Sequence, residues 1–234
     1  MENKPFKDSI IFEDSAFLVV NKSAGIPVQP DTTGDKSISD AASEYCGSEV
    51  FVCHRIDRPV SGITILAKHK QAAAHLNALF AEARVRKSYL AIVENSPPKS
   101  EGELLHFIHR KEKENKTIAT EEKLSESDQV AKLYYRHLAS SDRYHLLLIT
   151  MQTGRHHQIR AQLSAIGCSI KGDIKYGARR KNADRSIHLH AWKVKFTHIQ
   201  GRGKLHIQLE APLPIQDTLW SYFNDILNQQ NDTK

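Results

Sequence analysis

Cys53-His54-Arg55-Ile56-Asp57-Arg58-Pro59-Val60-Ser61-Gly62 is the stretch from which the rest of the chain is read. Asp57 stands between Arg55 and Arg58, and Pro59 with Gly62 makes a stiff turn. A carboxylate between two cations is expected to stay ionised at neutral pH, because nearby positive charge favours the charged form. Held in place, such a carboxylate can act as a nucleophile or a base. The plain alternative is a surface Asp–Arg pair, worth under about 1 kcal/mol and without further role.

Upstream, Ile10-Ile11-Phe12 and Phe17-Leu18-Val19-Val20 are short apolar runs split by Glu13-Asp14-Ser15, the pattern of paired strands. Gly25–Val28 and Asp31–Asp35 are rich in turn residues and predict a loop. Downstream, Ala72, Ala73, Leu76, Leu79, Phe80 and Ala83 form a stripe of period 3.6 between Lys68 and Arg84, which predicts an amphipathic helix. Tyr89–Val93 follows as a strand, and Asn95-Ser96-Pro97-Pro98 breaks the chain. Residues 99–130 are polar and charged and are expected to form an exposed excursion such as a hairpin. Tyr144–Met151 is a dense apolar strand that turns at Thr153-Gly154 into a helix bearing Ile159, Leu163 and Ile166 on one face, with Gly167 at its end. Two late strands (Leu189–Phe196 and Leu205–Leu209) precede Pro212 and Pro214, and Thr218–Leu227 predicts a last helix. Strands outnumber helices without a βαβ rhythm, so the expected class is α+β.

The chain has 234 residues, 40% of them hydrophobic, and a formal charge of +6. That length fits one large domain or two small ones. No apolar run approaches the roughly 18–20 residues of a membrane span, and no long apolar segment follows Met1–Asp8, so neither a membrane segment nor a secretory leader is expected. Cys46, Cys53 and Cys168 are scattered, which argues against a disulfide framework or a cysteine zinc site. A cytoplasmic protein is the expectation. The charge is uneven. Residues 155–204 carry 12 Lys/Arg against 2 Asp/Glu, a balance of +10, and residues 54–87 carry 7 against 2, a balance of +5. Basic blocks beside an acidic remainder are the electrostatic footprint of a polyanion binder.

Three further segments carry chemistry. Arg86-Lys87-Ser88-Tyr89 joins a basic helix end to a strand, and the Tyr89 ring could stack on a base or pass a proton. In Thr153-Gly154-Arg155-His156-His157-Gln158-Ile159-Arg160, His156 and Arg160 are four apart and are expected on one helix face, with Arg155 and the helix amides poised for phosphate. His156, His157, His188 and His190 raise a metal-site reading, but adjacent helical histidines are expected to point apart, and acidic ligands nearby are sparse. Gly172-Asp173-Ile174-Lys175-Tyr176-Gly177-Ala178-Arg179-Arg180-Lys181 is a glycine-punctuated basic loop lacking any nucleotide-binding glycine pattern.

In this order, the segments resemble the RluA-type family of RNA pseudouridine synthases from about Ile10 to Pro214. His54-Arg55-Ile56-Asp57 with Ser61-Gly62 and Ala67-Lys68 resembles the family's active-site signature, and Lys87-Ser88-Tyr89 its K-x-Y element. Thr153–Arg160 with Gly172–Gly177 resembles its third motif, and His188–Ala191 with Ala211–Pro214 its closing strands. The resemblance implies a pseudouridine synthase fold: a long, mixed, mostly antiparallel sheet with flanking helices and a central active-site cleft. It implies one catalytic domain over 1–234, without a separate N-terminal RNA-binding module, acting as a monomer. It implies that a uridine in structured RNA, 23S rRNA or tRNA, is isomerised without a cofactor. Asp57 would be the nucleophile, attacking either sugar or base. Tyr89 would stack on the uracil and assist loss of the C5 proton, and Arg160 would pair with Asp57. Arg55 would fill the gap left by a flipped nucleotide. Arg58, Lys87, Arg155, His156, Lys171, Lys175, Arg179 and Arg180 are the other expected RNA contacts. The competing readings are an RNA-binding protein that keeps the fold without the catalysis, and a metal-dependent hydrolase using the histidines.

Overall fold

The computed structural model describes residues 5–200 and 203–232, with backbone alone for 199, 200 and 230–232. Of the N-terminal stretch inspected for a leader, residues 1–4 lie outside the described residues. In chain order the elements are β1 (Ile10–Glu13), β2 (Phe17–Lys22), α1 (Ile38–Cys46), β3 (Phe51–Val52), β4 (Ser61–Ala67), α2 (Lys70–Ala81), β5 (Arg86–Val93), β6 (Glu101–Lys111), β7 (Lys116–Thr120), β8 (Gln129–Ser140), β9 (His145–Met151), α3 (Gln158–Ala165), β10 (Leu189–Gln200), β11 (Gly203–Glu210) and α4 (Thr218–Asp232). The class is α+β, as expected, with predominantly antiparallel strands. Two compact units are formed, one from Met1–Lys87 with Ala191–Pro212 and the other from Ser88–His190 with Leu213–Lys234.

In the first unit the strands run in the order β1-β2-β4-β10, with β11 on β10 and β3 on β4. The polar break at Asp14 is the β1–β2 turn: its Oδ1 accepts the amides of Ala16 (2.7 Å) and Phe17 (2.8 Å). β2 and β4 pair antiparallel from Phe17↔Ala67 to Lys22↔Gly62. Every residue of β4 is buried, Ser61 and Thr64 included, so its sequence lacks the alternation of a half-exposed strand. Leu18, Val20 and Leu66 form one core with Ile38 and Ala42 of α1. That helix starts at a reciprocal cap, in which Ser37 Oγ accepts the Asp40 amide (3.1 Å) and Asp40 Oδ2 accepts the Ser37 amide (2.9 Å), and it ends at left-handed Gly47. Gly62 has φ +109°, and a Cβ there would lie 2.3 Å from the Ala191 carbonyl oxygen of β10. Gly62 is therefore a packing requirement between β4 and β10.

In the second unit the order is β5-β9-β8-β6-β7. The expected exposed excursion over 99–130 is corrected here. A hairpin is present, β6 with β7 from Phe107↔Thr120 to Lys111↔Lys116, but β6 also pairs with β8 from Glu101↔Arg136 to Ile108↔Gln129. It is an interior strand with Leu104, His106 and Ile108 buried. Its period-two pattern is blurred because apolar Leu105 and Phe107 stand on the other face. Ile108, Ala131, Ala161 of α3 and Tyr176 pack together on the inner side. The α3 helix ends where expected, with Gly167 left-handed just past it and the Cys168 amide returning to the Leu163 carbonyl (2.9 Å).

Candidate active site

Asp57 sits in the loop that leads into β4. The loop turns tightly, with the Val60 amide donating to the Asp57 carbonyl (3.0 Å), and buried Ile56 anchors it. Asp57 is half-buried and Arg55 is exposed. Arg58 does not face Asp57 as a flanking cation. Its Nε donates to the Gly25 carbonyl (2.8 Å), its Nη1 to Thr33 Oγ1 (2.7 Å) and Asp31 (3.3 Å), and its Nη2 to Asp35. The guanidinium thus ties the 25–35 loop to the Asp57 turn.

The cation that acts on Asp57 within this unit is Lys22, which the sequence reading passed over. It ends β2 fully buried, and its Nζ donates to the carbonyls of Ser23 (3.0 Å), Ile26 (2.9 Å) and Arg58 (3.1 Å). Burial pushes its ammonium down to about 7, while the Asp57 charge works to keep it protonated. Lys22 therefore fixes the backbone next to Asp57. The signal available in sequence was a lysine closing an apolar strand immediately before Ser23-Ala24-Gly25.

His54 stacks on Phe80 (ring centroids 5.1 Å apart, planes 14° off), and burial pushes it down to about 3, so the ring is neutral. Lys87 lies 5.6 Å from the centre of the same Phe80 ring, and burial lowers its ammonium as well. Lys87 is accordingly a half-buried partner of Phe80.

In the second unit, Tyr89 is a buried residue of β5. The turn before α3 departs from expectation. The helix begins at Gln158, after His157 in left-handed conformation (φ 51°). His156 therefore lies outside the helix and shares no helix face with Arg160. The two histidine rings stack at 3.8 Å with planes 24° apart instead of diverging. Local side-chain chemistry explains the late start. Gln158 Oε1 accepts from Thr153 Oγ1 (2.8 Å) and from the Arg155 amide (2.9 Å), so that amide is not left for phosphate. The Arg155 side chain is exposed, with Nε on the Val130 carbonyl (3.2 Å).

Arg160 is buried and held end-on by Asp173, Nε to Oδ2 at 2.7 Å and Nη2 to Oδ1 at 2.8 Å. Its guanidinium carbon lies 4.7 Å from the centre of the Tyr176 ring. Asp173 and Tyr176 were visible in sequence as Gly172-Asp173…Tyr176-Gly177, but without a role. Paired donors on a planar carboxylate fix the plane of the guanidinium as well as its position.

The basic loop divides. Lys171 Nζ donates to Asn182 Oδ1 (2.7 Å) and Lys175 Nζ to the Asn115 carbonyl (2.6 Å), so both brace the protein itself. Arg179 and Arg180 are exposed, as are Lys181 and Arg185, two cations the sequence reading did not single out. Among the described residues no three His, Cys, Asp or Glu side chains converge to hold a metal, and no helix is long and apolar enough to cross a membrane.

These features belong to a known class of RNA-modifying enzyme. The family model for RNA pseudouridylate synthase matches residues 16–165. The chain is 29% identical over 190 residues to an uncharacterized RNA pseudouridine synthase of Haemophilus influenzae, covering 81% of this chain and 82% of that protein. It is 32% identical over 223 residues to ribosomal large subunit pseudouridine synthase C of Rickettsia felis, covering 93% and 70%. Among solved structures, human RNA pseudouridylate synthase domain containing 1 superposes with a TM-score of 0.74 at 26% identity, covering 93% of this chain and 90% of that one. The chain belongs to the RluA-type family of RNA pseudouridine synthases, isomerases whose substrate is RNA.

Proposed function

We propose that the protein isomerises particular uridines of ribosomal RNA or transfer RNA in the cytoplasm, with Asp57 as nucleophile. The bond from uracil N1 to ribose C1′ breaks, the base turns, and C5 bonds to C1′. C5 loses its hydrogen and N1 gains one, so neither oxidant nor activated group is needed. Both reacting carbons must be reached outside the base stack, which makes flipping of the nucleotide part of the reading. Arg55, exposed beside Asp57, is assigned to the vacated helix position. Tyr89 is assigned to the face of the uracil and the C5 proton, and Arg160 to pairing with the Asp57 carboxylate. Relatives named for the ribosomal large subunit support an rRNA target. Exposed Arg155, Arg179, Arg180, Lys181 and Arg185 supply phosphate contacts, so affinity should fall steeply as salt rises.

The observation that carries this reading is the buried, two-point clamp of Asp173 on Arg160. Such a clamp is costly to build and serves to hold one cation in a fixed plane. Mapping pseudouridine in total RNA from a strain lacking the gene, against its parent, tests the reading. A site lost from rRNA or tRNA should return with the wild-type gene and not with Asp57→Ala. An unchanged map would remove it.

A further inference from the structure

Tyr176 has two engagements that no step of the isomerisation uses directly. Its ring faces the Arg160 guanidinium at 4.7 Å, and Lys116 of β7 lies 5.6 Å from the centre of the same ring. Its hydroxyl accepts the Thr117 amide of β7 (2.8 Å), which leaves its own hydrogen for His157 Nδ1 (2.8 Å). Thr117 Oγ1 completes the contact through His156 Nδ1 (2.9 Å). All six residues lie in the second unit, and Thr117 and Tyr176 are buried.

The arrangement is specific because β7 is the edge of its unit's strand order. The outward amide of an edge strand ordinarily faces water or a partner strand. Here it ends on a tyrosine hydroxyl from the loop after α3. The hairpin tip, from the end of β6 to the start of β7, carries Arg110, Lys111, Lys113 and Lys116 against Glu112 and Glu114, a balance of +2 (four less two) that a polyanion can engage.

We propose that Tyr176 is a positioning residue that joins the two ends of this contact. Its hydroxyl locks the β6–β7 hairpin, and its ring face sets Arg160 against Asp173, so that RNA held by the hairpin reports to the catalytic arginine. The proposal rests on the role given to Arg160 above.

The test uses the full chain, with RNA from a strain lacking the gene, labelled with tritium at uridine C5 so that isomerisation releases the label. Tyr176→Phe keeps the ring and deletes the hydroxyl. Exchange of the Thr117 amide should quicken about tenfold or more, KM should rise about tenfold, and kcat should change by no more than about threefold. Tyr176→Leu deletes both engagements and should add a loss of kcat of about thirtyfold at an unchanged KM relative to Phe. A residue serving stability alone would lower Tm in both variants without splitting kcat from KM. Unchanged Thr117 exchange and KM in Tyr176→Phe would overturn the lock, and Tyr176→Leu matching Phe in kcat would overturn the ring's role. Arg160→Ala run alongside separates the failures. Full activity in that variant sinks the reading of Arg160 itself, whereas an inactive Arg160→Ala beside a normal Tyr176→Phe and Tyr176→Leu sinks only the coupling.

Discussion

Arg58 and Arg160 are both paired with aspartates, yet the two pairs behave as opposites. The Arg58 side chain is 35% exposed and its partners Asp31 and Asp35 are 35% and 57% exposed, whereas Arg160 and Asp173 are 6% and 2% exposed. An exposed network is screened by salt and contributes little, though it can steer a loop. A buried pair gains little over an apolar substitute, but once built it cannot lose one partner cheaply, because the survivor is left charged in a poor solvent. The lesson is that an arginine next to the proposed nucleophile in sequence serves as scaffold. The buried Arg160 is placed by a carboxylate thirteen residues further along.

Substitutions should expose that contrast in a graded way. The largest effect is expected for Asp173→Ala, which removes the buried carboxylate that fixes the plane of the Arg160 guanidinium. A loss of about 3–5 kcal/mol in denaturant unfolding and a severe loss of activity should result. A stability close to wild type would show that Arg160 is not held by this clamp. Lys22→Met comes next. Removing Nζ takes a donor from the Ser23, Ile26 and Arg58 carbonyls, the last of which keeps the Gly25 amide (2.8 Å), at a cost of about 1–3 kcal/mol. The pH dependence sharpens this test. Folded Lys22 titrates near 7 and unfolded Lys22 near 10.5, so between those values the unfolded state binds more protons. Stability from this group therefore rises with pH across that window, and below about 7 the full burial penalty is present. The Met variant should lack the rise, and an identical slope in both proteins would refute the assignment. The smallest effect is expected for Arg58→Ala, with a Tm shift within about 2 °C and near-normal isomerisation. A drop as large as that for Asp173→Ala would erase the distinction between the two pairs.

Much of this was legible in the chain. Apolar runs placed β1, β2, β9 and β11, and the stripe at Ala72, Leu76 and Leu79 placed α2, because burial of one face sets the period of the sequence. The fully buried β4 and the short α1 escaped, since neither has a one-sided pattern long enough to stand out, although the Ser37–Asp40 cap was there to be seen. The start of α3 was misread because Gln158 competes for the turn amides, an interaction that periodicity does not encode. The partners of Arg58 were hidden for a related reason: its acceptors lie 23–33 residues upstream, and only the folded loop brings them together. Asp57, Tyr89 and Arg160 stood out by their local chemistry, and the roles proposed for them come from the family motifs.

The central claim is that Asp57 attacks the target uridine. Release of tritium from C5-labelled RNA, measured for wild type and for Asp57→Ala with RNA affinity determined on the same samples, tests it most directly. The account predicts no release by the variant, with affinity within about threefold of wild type, since phosphate contacts dominate binding. Release at the wild-type rate would contradict it.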